Sequence, residues 1–348
     1  MLKRIYILLI GVLLQFSMSV GQKIDPSCWL THLEDDLMVS SLSIPGAHEA
    51  ATGEGLNLPA GLGKAQTLSI TSLWEQGIRV FDLRPAIQNT SLQIYHGIAK
   101  VRISFAEALQ ILSDKLNNTP GEFAIVILRE EQEAESTTES KLWPKAIGEQ
   151  IEKLGSKAAY FRPTLKVKDL RGKILFLARN QYMGTKKGCI IHGWSHRPEG
   201  QESATIVSMG NNTKATLRVQ DFYHLNTPQK RIEKKKIVHH FLNLAAENVP
   251  GIWTINFLSG YTHGWMGTSL ATTSGYKRNA EEIHKDVLLK WEQEPNVTST
   301  GILMLDFAGV DKTIGGIWHW KPFTPYGKVI VNKIIERNFV KLPSSNSH

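Results

Sequence analysis

The sequence predicts an α/β protein built as a distorted (β/α)8 TIM barrel in a single domain. Two observations carry this reading. Eight short runs read as strands, at 38–44, 78–83, 92–95, 123–128, 173–178, 217–222, 252–257 and 302–307. Several are apolar throughout, as strands buried on both faces must be. Stretches with helical spacing separate many of them, at 105–116, 141–154, 229–248 and 277–294, and strands alternating with helices imply a largely parallel sheet. A third observation supplies the distortion. Residues 84–92 leave no room for a helix between two strands. An open doubly wound sheet is the alternative.

Each element has a local reason. Ser104-Phe105-Ala106-Glu107 is a capping-box pattern that starts the helix at 105. At the N-terminus, Lys3 and Arg4 precede an apolar run at 5–14 and small residues near Gly21. That is the layout of a secretory signal peptide, and the run is too short to span a membrane. The expected organisation is a signal peptide at 1–21, a catalytic barrel at 22–340 and a flexible tail at 341–348. The mature protein is expected outside the cytoplasm. Two cysteines, Cys28 and Cys189, are compatible there with a disulfide or with two unpaired thiols.

The 348 residues include 42% hydrophobic and 21% charged side chains, which excludes wholesale disorder. A net charge of +8 favours anionic partners, among them phospholipid headgroups, nucleic acid and acidic polymers, without choosing between them. The basic stretch around Lys234, with His239 and His240, reads as a solvated face or as a membrane-docking surface.

Barrel chemistry sits at the C-terminal ends of the strands. His48 and Glu49 follow the first strand, Asp82 and Arg84 end the second, and His96 ends the third. Arg129 and Glu130 end the fourth, Arg179 the fifth, Asp221 and Tyr223 the sixth, and Asp306 the eighth, with Asn256 in the seventh. Two histidines across a pocket, each backed by a carboxylate, divide proton transfer between an attacking hydroxyl and a leaving oxygen. A guanidinium between them matches a phosphate. The set suits cleavage of a phosphodiester by an internal hydroxyl without a metal. Metal binding is the main competitor. No HExxH pattern occurs, and Arg84 is a poor neighbour for a cation.

The motifs LSIPGAHEA, GIRVFDLR with the histidine of YHG twelve residues on, FAIVILREE, GKILFLAR, VQDFY, INFLSG and LMLDF run in order between about residues 36 and 309. Together they resemble the secreted bacterial phosphatidylinositol-specific phospholipase C family. The resemblance implies a TIM barrel with an incomplete helical ring. It implies calcium-independent cleavage of phosphatidylinositol to diacylglycerol and inositol 1,2-cyclic phosphate, with no cofactor. By motif, His48 corresponds to the general base, supported by Asp306, His96 to the general acid and Arg84 to the phosphate clamp. Arg179, Asp221 and Tyr223 correspond to inositol-binding residues. The expected partner is an inositol phospholipid at a membrane surface, touched transiently by a monomer, with no nucleic acid. Glu49 replaces the family's usual aspartate, and its pairing with His96 is an expectation. The family's inositol-contacting lysine falls near Arg129 and Glu130. A metal-dependent glycerophosphodiester phosphodiesterase and a catalytically idle inositol-lipid- or glycan-binding barrel are the competing readings.

Overall fold

The computed structural model describes residues 24–58, 62–131, 140–195, 197–262, 273–296, 299–312 and 322–340. The expected signal peptide and tail lie outside them. The chain runs β1 (Ser43–Ala47), α1 (Ile70–Glu75), β2 (Val80–Leu83), β3 (Pro85–Gln88), β4 (Ser91–His96), β5 (Ala99–Ser104) and α2 (Phe105–Asn118). It continues with β6 (Ala124–Leu128), α3 (Trp143–Lys153), α4 (Val167–Leu170), β7 (Ile174–Ala178), β8 (Cys189–His192), β9 (Gln201–Ser208) and β10 (Lys214–Gln220). It ends with α5 (Pro228–Ala246), β11 (Trp253–Phe257), α6 (Thr273–Gln293), β12 (Gly301–Leu305) and α7 (Gly327–Glu336).

Nine strands close into a barrel in the order β1-β12-β11-β10-β9-β8-β7-β6-β2. All neighbours pair in parallel except those on either side of β9, which runs antiparallel to β8 and β10. The expected barrel is therefore present, with one reversed strand inserted. β1, β6, β7, β11 and β12 are buried along their whole length, which explains the unbroken apolar runs of β6, β7 and β12. The capping box at Ser104 and Glu107 forms. It starts a helix that buries Phe105, Ala108, Leu109, Leu112 and Leu116 at amphipathic spacing, each large apolar side chain stabilising the fold by about 1.5–3 kcal/mol.

Three local expectations change. Within 38–44, Val39–Ser41 is a short 3-10 turn and the strand begins only at Ser43. The Val39 amide donates to the Leu165 carbonyl, so this segment hydrogen-bonds outside the barrel. The run at 92–95 belongs to β4, in a separate antiparallel sheet β3-β4-β5. Asn89 and Thr90 both take positive φ, 48° and 66°, and turn β3 back onto β4 as a tight hairpin rather than sending the chain across the barrel. The barrel instead gains β8, hidden by its four-residue length, and β9, hidden by its mixed polarity. The chain passes from β7 to β10 with no covering helix.

Cys28 and Cys189 are both free thiols, Cys189 fully buried. The basic helix α5 is largely answered by acids: Arg231 pairs with Glu282, Lys235 and His239 with Asp286, and His240 with Glu202. That pairing favours a solvated face over a docking surface. Among the described residues no helix is long and apolar enough to cross a membrane.

Candidate active site

The register of the closing strands builds one side of the site. Ala47 pairs with Leu305, so the next residues, His48 and Asp306, stand side by side at the rim. The His48 amide donates to the Leu305 carbonyl at 3.0 Å. His48 Nδ1 lies 2.8 Å from Asp306 Oδ1, and Asp306 Oδ2 accepts the Gly260 amide at 3.1 Å. A Cβ at 260 would come within 2.3 Å of Leu225 Cδ1, so any larger residue would have to displace that side chain. The Gln66 amide locks the turn, donating to the His48 and Leu305 carbonyls at 2.8 and 2.7 Å.

Extended neighbours point to opposite faces. Glu49 escapes that rule by taking left-handed φ 45°, ψ 53°, so His48 and Glu49 both reach the cavity. A non-glycine residue in this region is strained, and its amide is held by Asp82 Oδ2 at 3.2 Å.

His96 arrives on β4. Its Nδ1 lies 3.0 Å from Glu49 Oε2, and its Nε2 lies 3.2 Å from the Tyr276 hydroxyl. Gly97, at φ 56°, donates its amide to Glu131 Oε1 at 2.6 Å, which ties the hairpin tip to the end of β6. Arg84 lies between the histidines. Its guanidinium donates to Asp82 at 2.9 Å and to Glu49 at 2.5 Å, and comes within 3.0 Å of His48 Nε2. Glu131 is 3.6 Å away.

These groups line a cavity of about 260 Å³. On its far side Arg179 donates to Asp221 at 3.1 Å and stacks over Trp194, whose indole N–H donates to the same carboxylate at 3.1 Å. The rings of Tyr223 and Tyr261 stack at 5.6 Å. Lys234, fully buried on α5, braces this wall by donating to the Phe222 carbonyl and to Gln220.

Burial opposes charge on both imidazoles, but neighbouring carboxylates outweigh it. Asp306 and Glu49 raise the His48 pKa above its ordinary value of 6.5, and Glu49 does the same for His96. Burial would raise the Glu49 carboxyl, yet Arg84, His96 and His48 pull it well below the usual carboxylate range. Burial lowers and Asp82 and Glu49 raise the Arg84 guanidinium, which ends above its ordinary value and stays charged. The geometry therefore offers a proton acceptor, a proton donor and a fixed cation around one cavity.

The structure gathers His48, Glu49, Arg84, His96, Asp306, Asp221, Tyr223 and Arg179 at one rim, the last adjoining through Asp221. Asp82 supports Arg84 from beneath. Arg129 lines the cavity, but Glu130 turns away, its carboxylate taking the Ser140 hydroxyl and its amide donating to Asn180. Asn256 faces α5, donating to the Val238 carbonyl, and is not a rim residue. Sequence reasoning missed Gln66, Glu131, Trp194, Tyr261 and Tyr276. Glu131 alone had a signal, since i and i+2 share a face with Arg129.

No family model matches the chain. It is 24% identical over 301 residues to the 1-phosphatidylinositol phosphodiesterase of Staphylococcus aureus strain Newman, covering 82% of this chain and 89% of that one. It is 30% identical over 176 residues to the enzyme of the same name from Listeria monocytogenes. This chain is similar to two bacterial 1-phosphatidylinositol phosphodiesterases. The Listeria match takes in 47% of this chain and 51%, about half, of that relative's length. Among solved structures, the S. aureus phosphatidylinositol-specific phospholipase C superposes with a TM-score of 0.70 at 20% identity, over 92% of this chain and 99% of that one. The Listeria phospholipase C gives 0.64 at 21%, over 90% and 99%. At these identities the superpositions establish the shared barrel.

Proposed function

We propose that this chain is a metal-independent phosphatidylinositol-specific phospholipase C. The observation that carries the reading is the alternation Asp306–His48–Arg84–Glu49–His96, with two carboxylate-backed imidazoles around one guanidinium. The activity for which the relatives are named supports the substrate class.

Asp306 fixes the His48 proton on Nδ1, leaving Nε2 to take the proton of the inositol 2-hydroxyl. The freed oxygen attacks phosphorus. Arg84 offers planar donors to the phosphoryl oxygens as charge grows there. His96 supplies the proton that leaves with diacylglycerol, and inositol 1,2-cyclic phosphate remains. Slower attack by water, with the two imidazoles exchanging roles, opens the ring. Asp221 and Arg179 hold ring hydroxyls, and Tyr223 offers its face to the ring. Arg84 stands among Asp82, Glu49 and Glu131, filling with a guanidinium the place a metal ion would need. The same reading has the protein exported by the 1–21 leader and working as a monomer in transient contact with a lipid surface.

The decisive test incubates the protein with phosphatidylinositol vesicles in excess EDTA and follows phosphorus NMR. A cyclic phosphate resonance should appear. A non-cyclic first product, or no product, refutes the reading.

A second expectation concerns pH. One histidine must be neutral and the other protonated, so the rate should trace a bell whose limbs belong to the coupled pair. Because carboxylates raise both imidazoles above 6.5, the bell should lie on the alkaline side of that value. A flat profile from about pH 5 to 9, with chemistry rate-limiting, would contradict it.

A further inference from the structure

The two ring nitrogens of His96 face different partners. Nδ1 faces the Glu49 carboxylate at 3.0 Å and Nε2 faces the Tyr276 hydroxyl at 3.2 Å. A carboxylate only accepts, and its charge at this ion-pair distance favours a proton on Nδ1. Nε2 is then the nitrogen with a proton to give, and Tyr276 stands against it. A hydroxyl accepts and donates at once. Tyr276 is 2% exposed, packs on Ala280 and Phe307, and lines the cavity. Its ring lies 6.4 Å from that of His48 and 6.1 Å from that of His96, so it sits between the two proton-transfer groups. Burial, with Glu49 and Asp306, pushes its own pKa well above 10.0, which keeps it a phenol rather than a phenolate.

We propose that Tyr276 is the conduit through which His96 gives its proton to the leaving oxygen. The inference rests on the phosphodiesterase reading. As the bond from phosphorus to the leaving oxygen breaks, its electron pair stays on that oxygen. The Tyr276 O–H bond breaks and its proton joins the leaving oxygen. The His96 Nε2–H bond breaks in turn and its proton joins the tyrosine oxygen. Tyr276 ends as it began, and His96 ends neutral, able to run the path backwards when water attacks the cyclic phosphate.

The experiment compares the wild type with Tyr276→Phe on two substrates. Phosphatidylinositol has an alkoxide leaving group that needs a proton. The 4-nitrophenyl ester of inositol 1-phosphate has one that leaves without it. Phenylalanine keeps the packed ring. Turnover of the lipid should fall about 10-fold or more, while the aryl ester should stay within about twofold of wild type. Added to His96→Ala, Tyr276→Phe should cost nothing further, because both act on one proton. Equal losses on the two substrates, an undiminished rate on the lipid, or an extra loss in the His96→Ala background would each overturn the conduit. A wild type that cleaves neither substrate refutes the phosphodiesterase reading itself, and the conduit with it.

Discussion

His48→Ala and His96→Ala should each lower turnover of phosphatidylinositol by about 10²- to 10⁴-fold, the usual contribution of a positioned acid or base. Neither substitution should unfold the protein. Polar partners at the rim, rather than apolar packing, hold these rings: His48 against Asp306 and His96 at a hairpin end against Glu49. The two variants should also differ. His48→Ala removes the group that activates the nucleophile, so an easier leaving group should not rescue it. His96→Ala removes only the proton for departure and should recover on an aryl ester. The measurement is initial rate on both substrates, with circular dichroism to verify folding. Near wild-type turnover by either folded variant would eliminate the two-histidine mechanism.

The second large effect is expected at Arg84. Arg84→Lys keeps the charge, yet it should lose much of the rate. The guanidinium turns Nη1 to Glu49, Nη2 to both Asp82 and His48, and Nε to Asp82 at once. An ammonium on a flexible stem reproduces neither that fork nor a two-point grip on phosphate. The loss should fall chiefly on kcat, since the clamp acts on charge that develops during reaction. Wild-type cyclic phosphate release should be the same in EDTA and in calcium. Loss in EDTA, restored by calcium, would remove Arg84 from this role and favour a metal-dependent phosphodiesterase.

Much of the site was legible because barrel strands announce their own ends. The apolar runs closing in LDF, FLAR and VQD deliver Asp306, Arg179 and Asp221 to a rim as soon as the topology is assumed. His96 was placed at the rim by a strand that proved to lie outside the barrel. The β3–β4 hairpin brings it back to the same mouth, so the residue was found although its carrier was misread. Glu130 was preferred to Glu131 because strand alternation was not followed past Leu128. Tyr276 had no local signal. It lies 180 residues from His96, near the start of a helix, where an aromatic side chain reads as core. Only closure of the barrel makes the two neighbours. β8 and β9 were missed although Ile190, Ile191, Ile206 and Val207 favour strands, because β8 has only four residues and the polar start of β9 breaks the apolar pattern.

The pairing of β1 with β12 has a consequence for how activity arises during synthesis. A nascent chain that has emerged as far as β11 already carries His48, Glu49, Arg84, His96, Asp221 and Tyr223, yet the His48 ring has no acid behind it. Asp306 arrives with the last strand. The reaction centre is thus divided across the seam of the cylinder, and no truncated product ending before that strand can assemble it. Under the proposed phosphodiesterase reading, turnover is a completeness check: it certifies that the first and last staves have met.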